Sequence, residues 1–123
     1  MADYWALGIL VYEMLQGYSP FADDEHNNQM TVYKNIIRGQ VVFSSRLRDA
    51  TGINLIMSLL VANPSQRLGS GRRGVKDVMG HAWFRSVNWR SLMQKRVLPP
   101  IIPHVSNKLD VSNFDEVGAA MQR

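Results

Sequence analysis

The chain has 123 residues, no cysteine and a formal net charge of +4 from 14 basic and 10 acidic side chains. Its hydrophobic content of 46% is typical of a folded globular chain and excludes general disorder. The lack of cysteine excludes a disulfide framework and a thiolate metal site, so we expect a reducing compartment, the cytoplasm and also the nucleus. No apolar run is long enough to span a membrane, and the basic residues are scattered without interleaved aromatic residues. We therefore expect neither a membrane nor a nucleic acid as a partner.

The first predicted helix covers the stretch DYWALGILVYEM and ends near Gln16, because Gly17 is suited to the C′ position that follows a helix. Apolar side chains occur on every side of this helix, and a helix of that kind is typical of the centre of a larger body. Too little of the chain remains to surround such a helix on all sides. The sequence therefore indicates the later part of a larger domain.

Two further helices are predicted in the middle of the chain. The stretch NQMTVYKNIIRG has the apolar spacing of an amphipathic helix that ends at Gly39. After the short extended connector QVVFSS, the stretch LRDATGINLIMSLLV predicts a third helix over residues 47–61. The side chains expected to point inward are those of Leu55, Ile56, Leu59 and Leu60.

The C-terminal half combines a loop, a last helix and a tail. The stretch ANPSQRLGSGRRG has the Pro, Gly and Ser content of a loop, and VKDVMGHAWF predicts a short last helix anchored by Trp83 and Phe84. From Pro99 onward three prolines in five residues and the lack of a helical period predict an extended tail. The fold class is therefore mainly α, with about four helices and an extended C-terminal tail.

Three blocks of the sequence resemble one family, in that family's order and spacing. DYWALGILVYEMLQGYSPF resembles the long central helix in the large lobe of eukaryotic protein kinases, and NPSQRLGSGRRGVKDVMGHAWF resembles a later stretch of the same lobe. PPIIP followed by SNFDE resembles the C-terminal tail of the AGC group, with the cyclic-nucleotide-dependent branch as the nearest match. The resemblance implies a large-lobe kinase fragment over residues 1–84 and a truncated AGC tail over residues 85–123.

The resemblance also implies an activity that this stretch cannot carry out by itself. The family transfers the γ-phosphate of ATP, with Mg²⁺, to Ser or Thr. Its glycine-rich loop, ATP-anchoring lysine, catalytic loop and metal-binding aspartate all precede the matching stretch. We therefore expect no catalytic residue here, no tight binding of ATP or Mg²⁺ and no kinase activity of the chain alone. The implied partners are peptides with basic residues before the Ser or Thr, a regulatory subunit and the missing N-terminal kinase lobe.

Two residues are expected to contact ligands of the complete kinase. The resemblance implies that Glu13 binds an arginine that precedes the phosphorylated residue of a peptide substrate. Glu13 is also a carboxylate on an otherwise apolar helix, where a buried and unpaired charge is costly, so an ion pair within the lobe is the alternative. The resemblance implies that Phe114 covers the adenine of ATP in the complete kinase. In this chain alone we expect Phe114 to pack on the nearest surface of the lobe instead.

Three residues are expected to support the site rather than to touch a ligand. The resemblance implies that Asp3 holds the catalytic loop from behind, although an N-cap role is the simpler alternative. Arg67 resembles the arginine that pairs with a buried glutamate upstream of this stretch, so without that partner we expect its charge to be solvated or strained. Trp5 is expected to be a core anchor.

Two short patterns resemble a nucleotide-binding motif and a metal site, but each has a simpler explanation. Residues 69–74, GSGRRG, match G-x-G-x-x-G, but no predicted strand precedes them and no acidic residue follows about 20 positions later, so we expect a surface loop. Asp23, Asp24 and Glu25 beside His26 could be drawn as a metal site, but an acidic helix N-terminus explains them as well, and we expect no metal.

A second hypothesis stays open beside the kinase fragment. The chain could be a non-catalytic remnant of a kinase large lobe that binds basic peptides or a regulatory subunit. What precedes Met1 in the native gene product would separate the two hypotheses.

Overall fold

A computed structural model of the chain describes residues 2–22 and 28–114. These residues contain five α-helices and one short 3-10 helix, and no strand occurs among them. The mainly α fold class is therefore confirmed. The chain divides into two units, Met1–Val87 and Asn88–Arg123, which are described separately below. The helices are α1 (Ala2–Gln16), α2 (Gln29–Arg38), α3 (Ala50–Leu59), α4 (Val75–Met79), the 3-10 helix Ala82–Phe84 and α5 (Trp89–Met93).

The first two helices end at the glycines that the sequence indicated. Gly17 has a φ of 84°, and its N–H donates to the carbonyl of Glu13 at 2.8 Å. Gly39 adopts the left-handed conformation with a φ of 63°, and its N–H donates to the carbonyls of Asn35 and Ile36. An L-residue with a side chain rarely adopts these φ values, so both predicted helix ends are confirmed.

The third helix is shorter than predicted because a capping residue fixes its start. Asp49 is the N-cap, and its carboxylate accepts the N–H of Gly52 at 2.9 Å. The helix therefore begins at Ala50 instead of near residue 47. The four side chains expected to point inward are buried, with exposed fractions of 5% or less: Leu55, Ile56, Leu59 and Leu60.

The core of the first unit lies where α1 crosses α3. Gly8 makes this close approach possible, since a Cβ on it would lie 2.8 Å from Cδ2 of Leu60 and 2.9 Å from Cβ of Leu59. The buried core side chains are those of Val11, Tyr12, Phe21, Leu55, Ile56, Leu59 and Leu60. On the opposite side of α1, Leu10 and Met14 are 53% and 63% exposed. The helix that is apolar all round thus buries one side only.

The predicted last helix of the first unit is interrupted, which corrects the expectation of one helix over residues 75–84. The helix α4 ends at Met79, and a separate 3-10 helix begins after His81. The Nδ1 atom of His81 accepts the N–H of Trp83 at 3.2 Å, and its Nε2 atom lies 2.9 Å from Oδ1 of Asn54. The indole N–H of Trp83 donates to Oδ2 of Asp49 at 2.8 Å. These side-chain hydrogen bonds favour the break after Gly80 over a continuous helix.

The second unit begins with a helix that the sequence analysis did not predict. Asn88 caps α5, and its side chain accepts the N–H of Ser91 at 3.0 Å. Residues 99–114 contain no helix, as predicted for the tail. The expectation of an extended tail is wrong for residues 106–114, because hydrogen bonds from Ser106, Ser112 and Asn113 fold them into turns. Among the described residues, no helix has the length and apolar character that a membrane span requires.

Candidate functional site

Arg67 is a buried cation, with 7% of its surface exposed. Its Nε and Nη2 atoms donate to the carbonyl of Val61 at 3.1 and 3.0 Å. The guanidinium carbon also lies over the ring of Trp5, 5.0 Å from the ring centroid. A planar guanidinium suits both contacts, because it can donate two parallel hydrogen bonds while it stacks on an aromatic face. Of our two expectations for the Arg67 charge, solvated or strained, the first is therefore wrong.

Trp5 connects this cation to the core. Its ring stacks on Phe21, with the ring centroids 5.7 Å apart and the planes within 7° of parallel. Phe21 is 2% exposed. Trp5 is thus held between a buried aromatic ring and a buried cation, which agrees with the anchor role expected for it. The structure brings Trp5 and Arg67 together, although they are more than sixty residues apart in sequence.

Glu13 is an exposed carboxylate on α1. The residue before it, Tyr12, is 2% exposed and donates its hydroxyl to the carbonyl of Val42 at 2.6 Å. Burial raises the pKa of Tyr12 to about 12, and the nearby Tyr18 contributes to the rise. Within residues 2–22 and 28–114, no side chain forms an ion pair with Glu13. The cost of a buried, unpaired charge that we considered for Glu13 therefore does not arise, and its carboxylate is accessible to a ligand.

Asp3 is also exposed and lies in the first turn of α1. It is a residue within the helix, so the alternative of an N-cap role is wrong. A carboxylate in the first helical turn still interacts favourably with the helix dipole. The structure provides no test of the role in supporting a catalytic loop, which stays a prediction.

Phe114 lies in the second unit and is 77% exposed. Its N–H donates to the carbonyl of Val111 at 2.9 Å, so its backbone belongs to a turn. The packing of Phe114 on the lobe that we expected for the chain alone stays a prediction. The proposed contact with adenine concerns the complete kinase and stays a prediction.

The sequence analysis missed Asp110, which organises the turn before Phe114. Its carboxylate accepts the N–H and the hydroxyl of Ser106 at 2.7 and 2.8 Å and the N–H of Ser112 at 2.9 Å. These hydrogen bonds, the N–H of Ser106 first, hold the pKa of Asp110 well below its usual range. The signal in the sequence is an aspartate with a serine four residues before it and two residues after it, a composition typical of side-chain-capped turns.

The GSGRRG stretch at residues 69–74 is a loop in which two backbone N–H groups already donate hydrogen bonds. Turns precede it, as predicted, and the N–H groups of Ser70 and Gly74 donate to the carbonyls of Arg67 and Gly71. Gly69 is buried against Tyr4, and a Cβ on Gly69 would lie 2.5 Å from Cε2 of that ring. The glycine at the start of the motif thus allows close packing on α1, which is a structural reason for its presence.

The acidic residues Asp23, Asp24 and Glu25 and the neighbouring His26 lie outside the described residues. In the part of the chain that the structure does describe, no three His, Cys, Asp or Glu side chains are grouped as metal ligands.

Comparisons with known proteins identify the family. The model of the protein kinase domain matches residues 1–84. The cAMP-dependent protein kinase catalytic subunit PRKX of Mus musculus is 43% identical over 113 residues, which are 92% of this chain and 31% of that protein. The serine/threonine-protein kinase sck2 of Schizosaccharomyces pombe is 44% identical over 115 residues, which are 94% of this chain and 17% of that protein. The cAMP-dependent protein kinase catalytic subunit of Dictyostelium discoideum is 42% identical over 113 residues, which are 92% of this chain and 17% of that protein.

The chain spans less than a third of the length of these relatives. The predicted boundary between kinase domain and tail, after residue 84, is not tested by these matches and stays a prediction. The protein kinase model covers 84 of the 123 residues, and each of these relatives is more than 40% identical to the chain. The chain belongs to the protein kinase family and is similar to the catalytic subunits of cAMP-dependent protein kinases.

Proposed function

We propose that this chain is the part of a Ser/Thr protein kinase that helps to dock the peptide substrate and contributes a tail contact to ATP. The complete kinase transfers the γ-phosphate of ATP to Ser or Thr in peptides with preceding basic residues. The observation that carries the proposal is Glu13, an exposed carboxylate beside the buried Tyr12 on α1. The buried Val11 and Tyr12 anchor the part of α1 that carries this carboxylate.

The chemistry of Glu13 suits recognition of an arginine. A carboxylate can accept two parallel hydrogen bonds from a guanidinium, and such charge-assisted pairs are stronger and more directional than neutral hydrogen bonds. Because no described side chain already pairs with Glu13, an incoming arginine does not have to displace a partner. The same exposure leaves the pair open to screening by salt, so recognition is expected to weaken as ionic strength rises.

The described residues offer a contact for ATP but no ligands for Mg²⁺. The exposed ring of Phe114 offers an apolar face for the adenine of ATP. For Mg²⁺ the described residues offer no group of ligands, so they do not fit the metal, and the phosphate- and metal-binding groups belong to other parts of the proposed kinase. We further propose that the chain alone does not phosphorylate. Its lack of cysteine favours a reducing compartment, the cytoplasm and also the nucleus.

A chimaeric kinase tests the docking role of Glu13. In the chimaera this chain replaces the matching stretch of PRKX from Mus musculus, so that the upstream lobe comes from an established catalytic subunit. We expect Glu13→Gln to raise KM about tenfold or more for a serine peptide with a preceding arginine, since a hydrogen-bonded charged pair is worth about 1.5–3 kcal/mol.

The control uses the same two enzymes with a peptide in which alanine replaces the arginine. With that peptide the two KM values should be equal, because the arginine that Glu13 binds is absent. An equal effect of Glu13→Gln on both peptides would contradict the proposed contact. Purified chain without the upstream lobe should give no ATP-dependent phosphorylation of either peptide.

A second candidate function is a non-catalytic module that binds a basic peptide or a regulatory subunit. For the regulatory subunit, the observation that favours it is a row of exposed apolar side chains on α2, because such a row suits contact with another protein. Met30, Tyr33 and Ile37 in this row are 62%, 49% and 83% exposed. Fluorescence anisotropy of a labelled basic peptide with the isolated chain separates the candidates. Binding by the isolated chain that Glu13→Gln abolishes, together with an inactive chimaera, would favour the non-catalytic module.

A further inference from the structure

Residues 104–114 form an ordered segment that burial does not explain. All of them are exposed except Asp110, which is half-buried. The apolar side chains of this segment, which burial would be expected to fix, point into solvent instead. Their exposed fractions are 58% for Val105, 88% for Leu109, 70% for Val111 and 77% for Phe114.

Polar side chains hold this segment in place of an apolar core. One oxygen of Asp110 accepts two hydrogen bonds from Ser106, and the other oxygen accepts the N–H of Ser112. The carboxylate therefore bridges the chain on both sides of itself. The side-chain N–H of Asn113 donates to the carbonyl of His104 at 2.7 Å, which closes a loop of ten residues.

Each of the three last residues of the segment is fixed by a separate hydrogen bond. Ser112 is held by Asp110, Asn113 by His104, and the N–H of Phe114 by the carbonyl of Val111 at 2.9 Å. The backbone that carries the Phe114 ring therefore leaves the turn in a defined direction. Phe114 is 77% exposed, so its ring is accessible to a ligand.

We propose that Asp110 is a positioning residue that presents the ring of Phe114 to the adenine of ATP. The proposal rests on the contact between Phe114 and adenine that is proposed above. Ordering a flexible segment at the moment of binding lowers affinity, and a segment that is already ordered avoids that loss. Asp110 acts only through Phe114, and it touches neither the nucleotide nor the peptide.

The first experiment measures the geometry of the segment in the full 123-residue chain by NMR. In the native chain the amide protons of Ser106 and Ser112 should be shifted downfield by their carboxylate acceptor and protected from exchange. In Asp110→Ala both signals should move to random-coil positions, and the distance restraints between the Phe114 ring and its neighbours should disappear. Lys108→Ala is the matched control, because Lys108 lies in the same segment and forms no hydrogen bond or ion pair with a described residue. Unchanged amide signals in Asp110→Ala would overturn the proposal.

The second experiment measures KM for ATP in the chimaeric kinase. Loss of a stacked aromatic ring commonly weakens binding of a base severalfold to about 100-fold, so Phe114→Ala should raise KM for ATP within this range. Asp110→Ala should raise KM for ATP about 3- to 10-fold and leave kcat and KM for the peptide unchanged. Asp110→Asn should give a KM for ATP between those of the native enzyme and Asp110→Ala, because the amide keeps one of the two acceptor oxygens. Lys108→Ala should leave all three constants unchanged.

The double variant separates positioning from a general structural role. If Asp110 acts through Phe114, Asp110→Ala should add nothing to KM for ATP once Phe114 is alanine. Two outcomes overturn the positioning role alone. One is an additive effect of the two substitutions on KM for ATP. The other is a KM for ATP that rises in Phe114→Ala but is unchanged in Asp110→Ala. An unchanged KM in Phe114→Ala overturns the adenine contact and the positioning role together, and the NMR result then still shows whether Asp110 orders the segment.

Discussion

The guanidinium carbon of Arg67 lies 5.0 Å from the centroid of the Trp5 ring, while Nε and Nη2 of the same side chain donate to the carbonyl of Val61. The pair joins α1 to the loop that follows α3. A lysine at position 67 could keep the charge, but its ammonium is a point donor that neither stacks as a plane nor donates a parallel pair of hydrogen bonds. The geometry of the guanidinium, and not its charge alone, is therefore the stabilising feature.

This relationship predicts that Arg67→Lys lowers the free energy of unfolding by about 1.5–3 kcal/mol, the contribution of hydrogen bonds to a charged group. Urea denaturation of the chain, followed by tryptophan fluorescence, measures the change. Arg72→Lys is the control, because Arg72 is exposed, and it should change the free energy by no more than about 0.5 kcal/mol. Equal effects of the two substitutions would contradict the role assigned to Arg67.

Two glycines of the same loop are predicted to differ in their tolerance of alanine. Gly69 has a φ of 90°, and its Cβ would lie 2.5 Å from the ring of Tyr4, whereas the nearest atom to a Cβ on Gly71 is Oδ2 of Asp77 at 3.5 Å. Gly69→Ala therefore combines backbone strain with a steric clash and should destabilise the chain by about 1–3 kcal/mol. Gly71→Ala should have an effect smaller than about 0.5 kcal/mol. Thermal unfolding followed by circular dichroism compares the stability of the two variants. If Gly69→Ala is as stable as the native chain, the close contact with Tyr4 is absent in solution.

The extent to which the sequence predicted this fold depends on how local the determining contacts are. The ends of α1 and α2 were predictable because Gly17 and Gly39 terminate helices through their own backbone conformations. The break after Gly80 was not, because the apolar spacing of residues 75–84 continues across it and the hydrogen bond from Trp83 to Asp49 that supports it spans 34 residues. The helix α5 has only five residues, so its cap at Asn88 was a weaker signal than a long apolar period.

For the candidate site, the sequence pointed to particular residues but not to the side chains and carbonyls around them. Trp5 packs against the core, and the family was recognised from three motifs. The burial of Arg67 was missed because its acceptors are backbone carbonyls, which every residue carries and no motif reveals. The role of Asp110 in ordering the tail was missed because only a short polar pattern encodes it.

Asp49 is predicted to make the stability of the chain depend on acid pH. Its carboxylate accepts the N–H of Gly52, the indole N–H of Trp83 and the hydroxyl of Thr51, and these bonds, that of Gly52 first, lower its pKa. A lowered folded-state pKa contributes stability that is present above the unfolded value of about 3.9 and is lost as pH falls through the folded value. Carbon-detected NMR titration of the Asp49 carboxyl should therefore give a midpoint below 3.9.

The variant Trp83→Phe tests the cause of this shift. It removes one of the three donors and keeps an aromatic ring, so the Asp49 midpoint should move upward but stay below the value for an unstructured peptide. A midpoint that does not move in Trp83→Phe would show that the indole hydrogen bond does not contribute to the lowered pKa of Asp49.

Gln16 is predicted to be a site where an apolar residue stabilises the chain. Its Nε2 atom is buried without a hydrogen-bond partner among the described residues, and its Oε1 atom accepts only a long hydrogen bond of 3.5 Å from Tyr18. Gln16→Met keeps a similar shape and removes the cost of burying an unpaired amide, so it should raise the free energy of unfolding by about 1 kcal/mol. Gln66→Met, at an exposed position, is the control in the same urea titration and should have little effect. A destabilised Gln16→Met would indicate that the amide has a partner in solution.

The close packing of α1 on α3 at Gly8 also has a consequence for synthesis of the chain on the ribosome. More than forty residues separate the end of α1 from the end of α3. At about 5–20 residues per second, α3 is completed roughly 2–9 s after α1, and only then can it cover Gly8, Val11 and Tyr12. During that interval the apolar side of α1 is accessible to chaperones that bind hydrophobic segments, and α3 must compete with them for it. Slower translation of residues 17–49 lengthens this interval and increases the fraction of nascent chains that a chaperone captures.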